Sequence, residues 1–335
     1  MTIGKNTQLL LEVKDLRAVL PTRRGMVKAV DNVSFRLHPG KTLGIVGESG
    51  CGKSMLARTI MGLLPARSIV PSESTVNFKG QNLVSMKKAR LRQIIGREIA
   101  MIFQDPMTSL NPVMKIGKQI SEVIRYHLKV SRRTAHKRTV ALLDLVGIPM
   151  AKQRANQYPH QLSGGLRQRV AIAIALACEP KLLIADEPTT ALDVTVQAAI
   201  LDLLASLQEE QQMAMILITH DLGVVAGRTD ETAVMYAGKI VEHAATNELF
   251  NDMRMPYTHA LMAAIPRLAN PPHTRLKTIN GQPPNMVELP PGCRFASRCW
   301  KAQPLCLENE PALKRINGRR HRLACWYPLN SRKSA

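Results

Sequence analysis

The stretch Leu43-Gly44-Ile45-Val46-Gly47-Glu48-Ser49-Gly50-Cys51-Gly52-Lys53-Ser54 decides the fold. Four mostly apolar residues read as a buried strand, and the segment from Lys53 to Leu63 carries helical spacing, so a glycine-rich turn joins a strand to a helix N-terminus. Such a turn is suited to phosphate. Its glycines let successive backbone N–H groups point at anionic oxygens, and the helix end adds a favourable dipole. Lys53 is expected to reach β- and γ-phosphates, and the Ser54 hydroxyl to coordinate Mg²⁺.

A second apolar run, Leu182 to Ala185, ends in two acids, Asp186 and Glu187. A central strand that delivers two carboxylates would supply an Mg²⁺ partner in Asp186 and a base for water in Glu187. An isolated Asp-Glu pair after a strand is usually a solvated strand end; the upstream loop gives it meaning. Further short β-rich runs lie at Leu9 to Val13, Ile99 to Phe103 and Ala214 to Ile218. Helical spacing occupies Lys115 to Leu128, Arg133 to Val146, Leu166 to Ala177 and Thr195 to Glu210. Alternation of this kind predicts an α/β domain. From Pro266 the texture turns proline-rich, with Pro271, Pro272, Pro283, Pro284, Pro290 and Pro291, which sets a boundary near residues 255 to 265.

The chain has 335 residues, enough for one main domain and an appendage. No run approaches the roughly 18 to 20 uncharged residues of a spanning helix, and Lys5, Glu12, Lys14 and Asp15 interrupt any secretory signal. A cytoplasmic protein is expected. Its net charge of +21, from 46 basic against 25 acidic residues, favours an anionic contact: nucleic acid, a membrane leaflet or nucleotide phosphates. Arg125 to Arg138 holds six basic and no acidic residues, and Gly292 to Ala335 ten basic and two acidic. Charge alone also fits a solvated helix face and a basic tail. Aromatics at 4% are too few for a single-strand stacking platform.

Between the two phosphate-related motifs stands Leu162-Ser163-Gly164-Gly165-Leu166-Arg167-Gln168-Arg169, which resembles the signature of ATP-binding-cassette ATPases. Gln104 resembles the Q-loop glutamine, Ala191-Leu192-Asp193 the D-loop and His220 the switch histidine, all in family order. The resemblance implies a P-loop NTPase cassette over residues 1–258, with a RecA-like core, an antiparallel β subdomain and a helical subdomain near 105–165. A cysteine-rich C-terminal extension would follow over 259–335. It implies that Gly47 to Ser54, Asp186 and Gln104 hold ATP and Mg²⁺, that Glu187 polarises water and that His220 contacts the γ-phosphate. Ser163, Gly164, Gly165 and Asp193 would serve the nucleotide of a second cassette, so that two subunits clamp ATP head-to-tail. One departure stands out: residues 1 to 34 contain no aromatic, and Leu20 occupies the place where similar proteins stack on adenine. Aliphatic packing there is weaker by about 1 kcal/mol.

The segments Phe103 to Pro112, Ala185 to Val194, Pro256-Tyr257-Thr258 and Leu289 to Cys293 look like the dipeptide/oligopeptide importer subfamily. That implies a paralogous second ATPase subunit, two transmembrane permeases, an external solute-binding protein and a place on the cytoplasmic face of the inner membrane. The Arg125 to Arg138 cluster would then face the anionic leaflet. A soluble nucleic-acid-associated ATPase of the same family is the competing reading.

Four of the six cysteines, Cys293, Cys299, Cys306 and Cys325, crowd the C-terminal end. A disulfide is disfavoured in the cytoplasm, and the spacing lacks the close Cys pairs of structural zinc. Free thiols, zinc and an iron–sulfur cluster remain open from spacing; similar four-cysteine tails of the importer subfamily imply a [4Fe–4S] cluster. Cys51 and Cys178 read as a loop filler and a core residue.

Overall fold

The computed structural model describes residues 9–105, 109–190, 192–265, 278–316, 318 and 320–330. Ala191 of the expected D-loop, residues 106–108, and Pro266, Pro271 and Pro272 lie outside them. The described strands are, in chain order, β1 (Leu11–Thr22), β2 (Gly25–Leu37), β3 (Thr42–Val46), β4 (Thr75–Phe78), β5 (Gln81–Asn82), β6 (Ile99–Ile102), β7 (Leu182–Asp186), β8 (Ala214–Thr219), β9 (Glu231–Tyr236), β10 (Lys239–Ala245), β11 (Lys314–Arg315) and β12 (Arg322–Leu323). The chain divides into two compact units.

The first unit comprises mainly Met86–Ile216. Its β6 and β7 run parallel in the register Ile99↔Leu182 to Ile102↔Ala185. Every residue of both strands is buried, as expected where helices cover both faces of a parallel pair. The helix Ile116–Leu128 buries Ile116, Ile120 and Ile124, an i, i+4 stripe, and the helix Arg132–Leu145 buries Ala135, Thr139 and Leu143 in the same way. Ser131 caps the latter by accepting the Thr134 N–H at 3.2 Å. Arg125, Lys129, Arg132, Arg133, Lys137 and Arg138 are all exposed on this helix pair. The helix Gly164–Leu176 is apolar on several sides and buries Val170 through Ala173.

The second unit comprises Leu9–Leu37, Thr42–Ser85 and Leu217–Ala335. One antiparallel sheet has the order β2-β1-β4-β5. The β1–β2 hairpin is the largest departure from the reading of the sequence, which marked only Leu9 to Val13 as strand. Its alternation is broken by register shifts between Val13 and Leu16, Leu16 and Ala18, and Ala18 and Val19, with Asp15 in the left-handed region at φ 48°. Each bulge reverses the faces of the following side chains, which erases a period-two pattern. The second sheet of the unit carries β3 parallel to β9 and β9 antiparallel to β10, with β12 and β11 completing the edge.

The C-terminal segment is stitched onto β10 by a buried carboxylate. Glu242 is fully buried, and its Oε1 accepts the Arg254 N–H at 2.8 Å, the Met255 N–H at 3.3 Å and the His321 Nε2 proton at 2.8 Å. In the same unit Tyr236, Tyr257 and Phe295 pack on one another, with ring centroids 4.5 to 5.3 Å apart. No helix among the described residues is long and apolar enough to cross a membrane. Glu242→Ala strands two amides and a buried imidazole, so it is expected to destabilise the protein by about 3 kcal/mol. Chemical denaturation measures this, and limited proteolysis should open the β11–β12 region first.

Candidate functional site

In the second unit the turn after β3 closes on itself. Lys53 is 4% exposed, and its ammonium donates to the Gly47 carbonyl at 2.8 Å and the Glu48 carbonyl at 3.1 Å. Lys53 thereby sits inside the loop, with its charge at the head of the helix Lys53–Ile60. Ser49 and Gly50 are exposed at the crest, Ser54 is half-buried and Cys51 is buried beneath. Burial pushes the Cys51 thiol up, so it is a neutral filler, as its sequence context suggested.

Two glycines make this turn possible. Gly52 has φ 106°, and a Cβ on it would lie 2.1 Å from the Ala29 carbonyl oxygen; a Cβ on Gly47 would lie 2.1 Å from that of Met235. Side chains are excluded at both points because backbone passes there. The loop is further tied by the Gly238 N–H donating to the Cys51 carbonyl at 2.8 Å. His220 directly follows β8 and is exposed, ahead of Asp221, whose carboxylate accepts the Gly223 N–H at 2.7 Å. Leu20 pairs with Val27 across the β1–β2 hairpin, and exposed Met26 pairs with Pro21, so its surroundings there are aliphatic.

In the first unit β7 ends at Asp186, 1% exposed, followed by Glu187, 8% exposed. Glu187 holds a left-handed backbone at φ 46°, unusual for a residue with a side chain. Its Oε2 accepts the Gln104 amide at 2.9 Å and the Thr190 hydroxyl at 3.1 Å. Gln104 and Glu187, proposed separately from sequence 83 residues apart, thus meet in one hydrogen bond. Thr190 was not singled out from sequence; its place one turn beyond the acid was the only signal.

Ser163 caps the helix Gly164–Leu176, its hydroxyl accepting the Leu166 N–H at 3.4 Å. Ser163 and Gly164 are exposed, which leaves this helix start open to an anion. Gly165 is close-packed: a Cβ there would lie 2.8 Å from Val196. Asp193 caps the helix Val194–Glu210 through the Val196 N–H at 2.9 Å and is exposed.

Cys293, Cys299, Cys306 and Cys325 line one small cavity, with Phe295 and Tyr327. The Cys293 N–H donates to the Cys306 carbonyl at 2.7 Å. Burial pushes the Cys293 and Cys325 thiols up to about 11 and raises Cys299 as well. All six cysteines are free thiols. Four soft donors around one cavity fit a thiophilic group in number and kind. Among the described residues, however, no three Cys, His, Asp or Glu side chains are gathered into a chelating set, so the sequence expectation of a metal centre has no formed counterpart. Cys178 is buried in its helix end and raised to about 11 by burial, a core residue as expected.

The family model described as "ABC transporter" matches residues 30–190, and that described as "Oligopeptide/dipeptide transporter, C-terminal region" matches residues 241–306. The chain is 51% identical over 308 residues to the oligopeptide transport ATP-binding protein OppD of Bacillus subtilis, covering 92% of this chain and 86% of the relative. It is 47% identical over 317 residues to the dipeptide transport ATP-binding protein DppD of the same organism, covering 95% and 94%. A solved dimeric ATP-binding cassette, in a post-hydrolysis state bound to ADP and Pi, superposes with a TM-score of 0.63 at 27% identity, over 71% of this chain and 99% of that one.

The glycine constraint has a direct consequence. Gly52→Ala forces a left-handed φ and a clash with the Ala29 carbonyl, so the turn must open. Nucleotide binding is expected to fall by at least about a hundredfold in equilibrium titration, for a backbone distortion of roughly 3 kcal/mol. Far-UV circular dichroism should stay near that of the parent.

Proposed function

Because the chain belongs to the ATP-binding-cassette family of transporter ATPases, we propose that it is the ATP-hydrolysing subunit of an importer that takes up di- or oligopeptides. The observation that carries this reading is the near-full-length identity of about half to peptide transport ATP-binding proteins, extending into the C-terminal region at 241–306. The partners are then a second, paralogous ATPase subunit, two transmembrane permeases and an external solute-binding protein. The helices Ile116–Leu128 and Arg132–Leu145 carry an exposed basic face suited to an anionic leaflet, which supports the reading of a chain that works at the cytoplasmic side of the inner membrane.

In this reading the amides of Gly47 to Ser54 and the helix dipole hold the phosphates. Lys53 leaves the carbonyls of Gly47 and Glu48 for β- and γ-phosphate oxygens, an exchange of neutral acceptors for anionic ones that favours the bound state. Mg²⁺, when bound, neutralises charge on the transferring phosphoryl group, and Ser54, Gln104 and Asp186 are the residues that would hold it. Glu187 orients and polarises the attacking water; its hydrogen bonds to Gln104 and Thr190 fix the carboxylate. His220 contacts the γ-phosphate. Ser163, Gly164 and Gly165 act on the nucleotide of the second subunit through the exposed start of the helix Gly164–Leu176, which can take up an anion, and Asp193 acts with them as the D-loop residue.

Lys53→Ala is expected to lose nucleotide binding, whereas Glu187→Gln should retain ATP and slow turnover by about a hundredfold or more, through loss of the base at constant shape. ATP titration together with single-turnover phosphate release separates the two. Turnover at the parental rate in Glu187→Gln removes the base assignment. Affinity purification of the chain from membranes tests the wider reading: permeases and a second cassette support it, and nucleic acid retained at high salt opposes it.

The C-terminal thiols carry the finer part of the proposal. Cys293, Cys299, Cys306 and Cys325 would hold a [4Fe–4S] cluster, with zinc as the alternative, and side-chain movement around their common cavity would complete the ligand set. When bound, such a group supplies metal–thiolate bonds that order the segment, a structural part because phosphoryl transfer needs no redox step. Anaerobically purified protein should contain about four iron and four sulfide per chain, and Cys→Ser at any of the four should remove them. Stoichiometric zinc supports the alternative, and four freely alkylated thiols in fully active protein exclude both.

A further inference from the structure

Glu48, the second residue of the phosphate loop, is held by the C-terminal segment. Its amide N–H donates to the Tyr257 hydroxyl at 2.9 Å. Its carboxylate takes the Arg298 guanidinium end-on, with Nη1–Oε2 2.6 Å and Nη2–Oε1 2.9 Å. The remaining donors of Arg298 reach the Asn280 carbonyl at 3.0 Å, the Tyr236 hydroxyl at 3.2 Å and the Ile279 carbonyl at 3.3 Å. A guanidinium has five N–H groups in a rigid fork, and here each has an acceptor. Arg298 is 3% exposed at its side chain and lies over the rings of Tyr236 and Phe295, each 5.9 Å from its carbon. Glu48 is 24% exposed at its side chain, and a bidentate pair whose guanidinium is buried and fully bonded is stronger than one between two exposed charges.

The backbone that carries Arg298 is equally constrained. It ends the short 3₁₀ turn Ala296–Arg298, between Cys293 and Cys299, closed by Ala296 N–H to the Cys293 carbonyl at 2.9 Å and Cys299 N–H to the Ala296 carbonyl at 3.2 Å. Arg294, before the same turn, donates to the Ala237 carbonyl and to Asp31. Gly238, next to Ala237, donates its N–H to Cys51 at 2.8 Å. Both sides of the loop's crest, Glu48 and Cys51, therefore lead to arginines that lie within one stretch bounded by Cys293 and Cys299.

We propose that Arg298 is a positioning residue for the phosphate loop: through Glu48 it holds the loop in its phosphate-accepting form before nucleotide arrives. This rests on the reading that Gly47 to Ser54 binds phosphate. Fixing the Glu48 peptide fixes the direction of the amides that follow it. Without the clamp the loop samples other conformations and binding must pay the ordering entropy, so the loss falls on affinity and not on the chemical step. Glu48 supplies charge to Arg298 and Arg298 supplies geometry to Glu48, so the two act as one unit.

The test is a double-mutant cycle in the full-length protein with Glu48→Gln, Arg298→Gln and the pair, read by calorimetric titration with MgADP and by ATPase kinetics. Each single variant is expected to raise the dissociation constant about tenfold, and the double variant by the same factor of about ten in total, in place of the hundredfold that independent effects would give. KM for ATP should rise in parallel, with kcat at saturation within about twofold of the parent. If Arg298→Gln fails to fold, Glu48→Gln decides alone, since it must still weaken MgADP binding and raise KM. Parental affinity in the single variants, additive losses, or a fall in kcat at unchanged KM each overturns the proposal. Lys53→Ala is the control for the underlying reading: if it binds MgADP like the parent, the phosphate-loop assignment itself fails.

Discussion

The approach of the loop Gly47 to Gly52 to two carbonyl oxygens, those of Met235 and Ala29, is the constraint on which the phosphate site depends. A Cβ at either glycine would sit 2.1 Å from one of these oxygens. Ala29 belongs to β2 and Met235 to β9, so the hairpin and the parallel pair β3–β9 must both be in register before the loop can close. The turn is thus not an independent motif set on a strand. It is the place where a long hairpin and a buried sheet meet with no room for side chains, and backbone polarity is concentrated there at the head of a helix.

The carboxylate apparatus follows a different logic. Glu187 adopts a left-handed backbone, which costs about 1 to 3 kcal/mol for a residue of its kind and persists only where surroundings compensate. The compensation is visible in the hydrogen bonds from Gln104 and Thr190 to one oxygen and in the burial of Asp186 on a strand hidden on both faces. The left-handed turn at Glu187, directly after the strand ends at Asp186, redirects its side chain from the alternation of the strand. That is how a strand end presents two successive carboxylates with different surroundings.

The C-terminal segment brings together buried polar contacts that its proline-rich composition does not suggest. Glu242 gathers two amides and His321, Arg298 gathers five acceptors, and Tyr236, Tyr257 and Phe295 pack together beneath the guanidinium. A segment with few apolar residues is ordered here by buried hydrogen bonds in low dielectric, where each bond counts for more. Its four cysteines surround a common cavity and remain unbridged.

The amino-acid sequence by itself determined the motifs that are local in the chain. Gly47 to Ser54 declares itself by glycines between a strand and a helix start, Leu182 to Glu187 by an apolar run ended by two acids and Leu162 to Arg169 by paired glycines ahead of a helix, and the helices from Ile116 to Leu145 show their i, i+4 stripes directly. The long β1–β2 hairpin was not legible, because three bulges scramble its alternation. Nor were the bond between Gln104 and Glu187 and the clamp of Arg298 on Glu48, which join residues 83 and 250 positions apart. Spacing in sequence carries no information about such pairs. Only tertiary structure decides them, since it is the packing of whole strands and turns that brings a single guanidinium to five acceptors and removes the water that would otherwise compete.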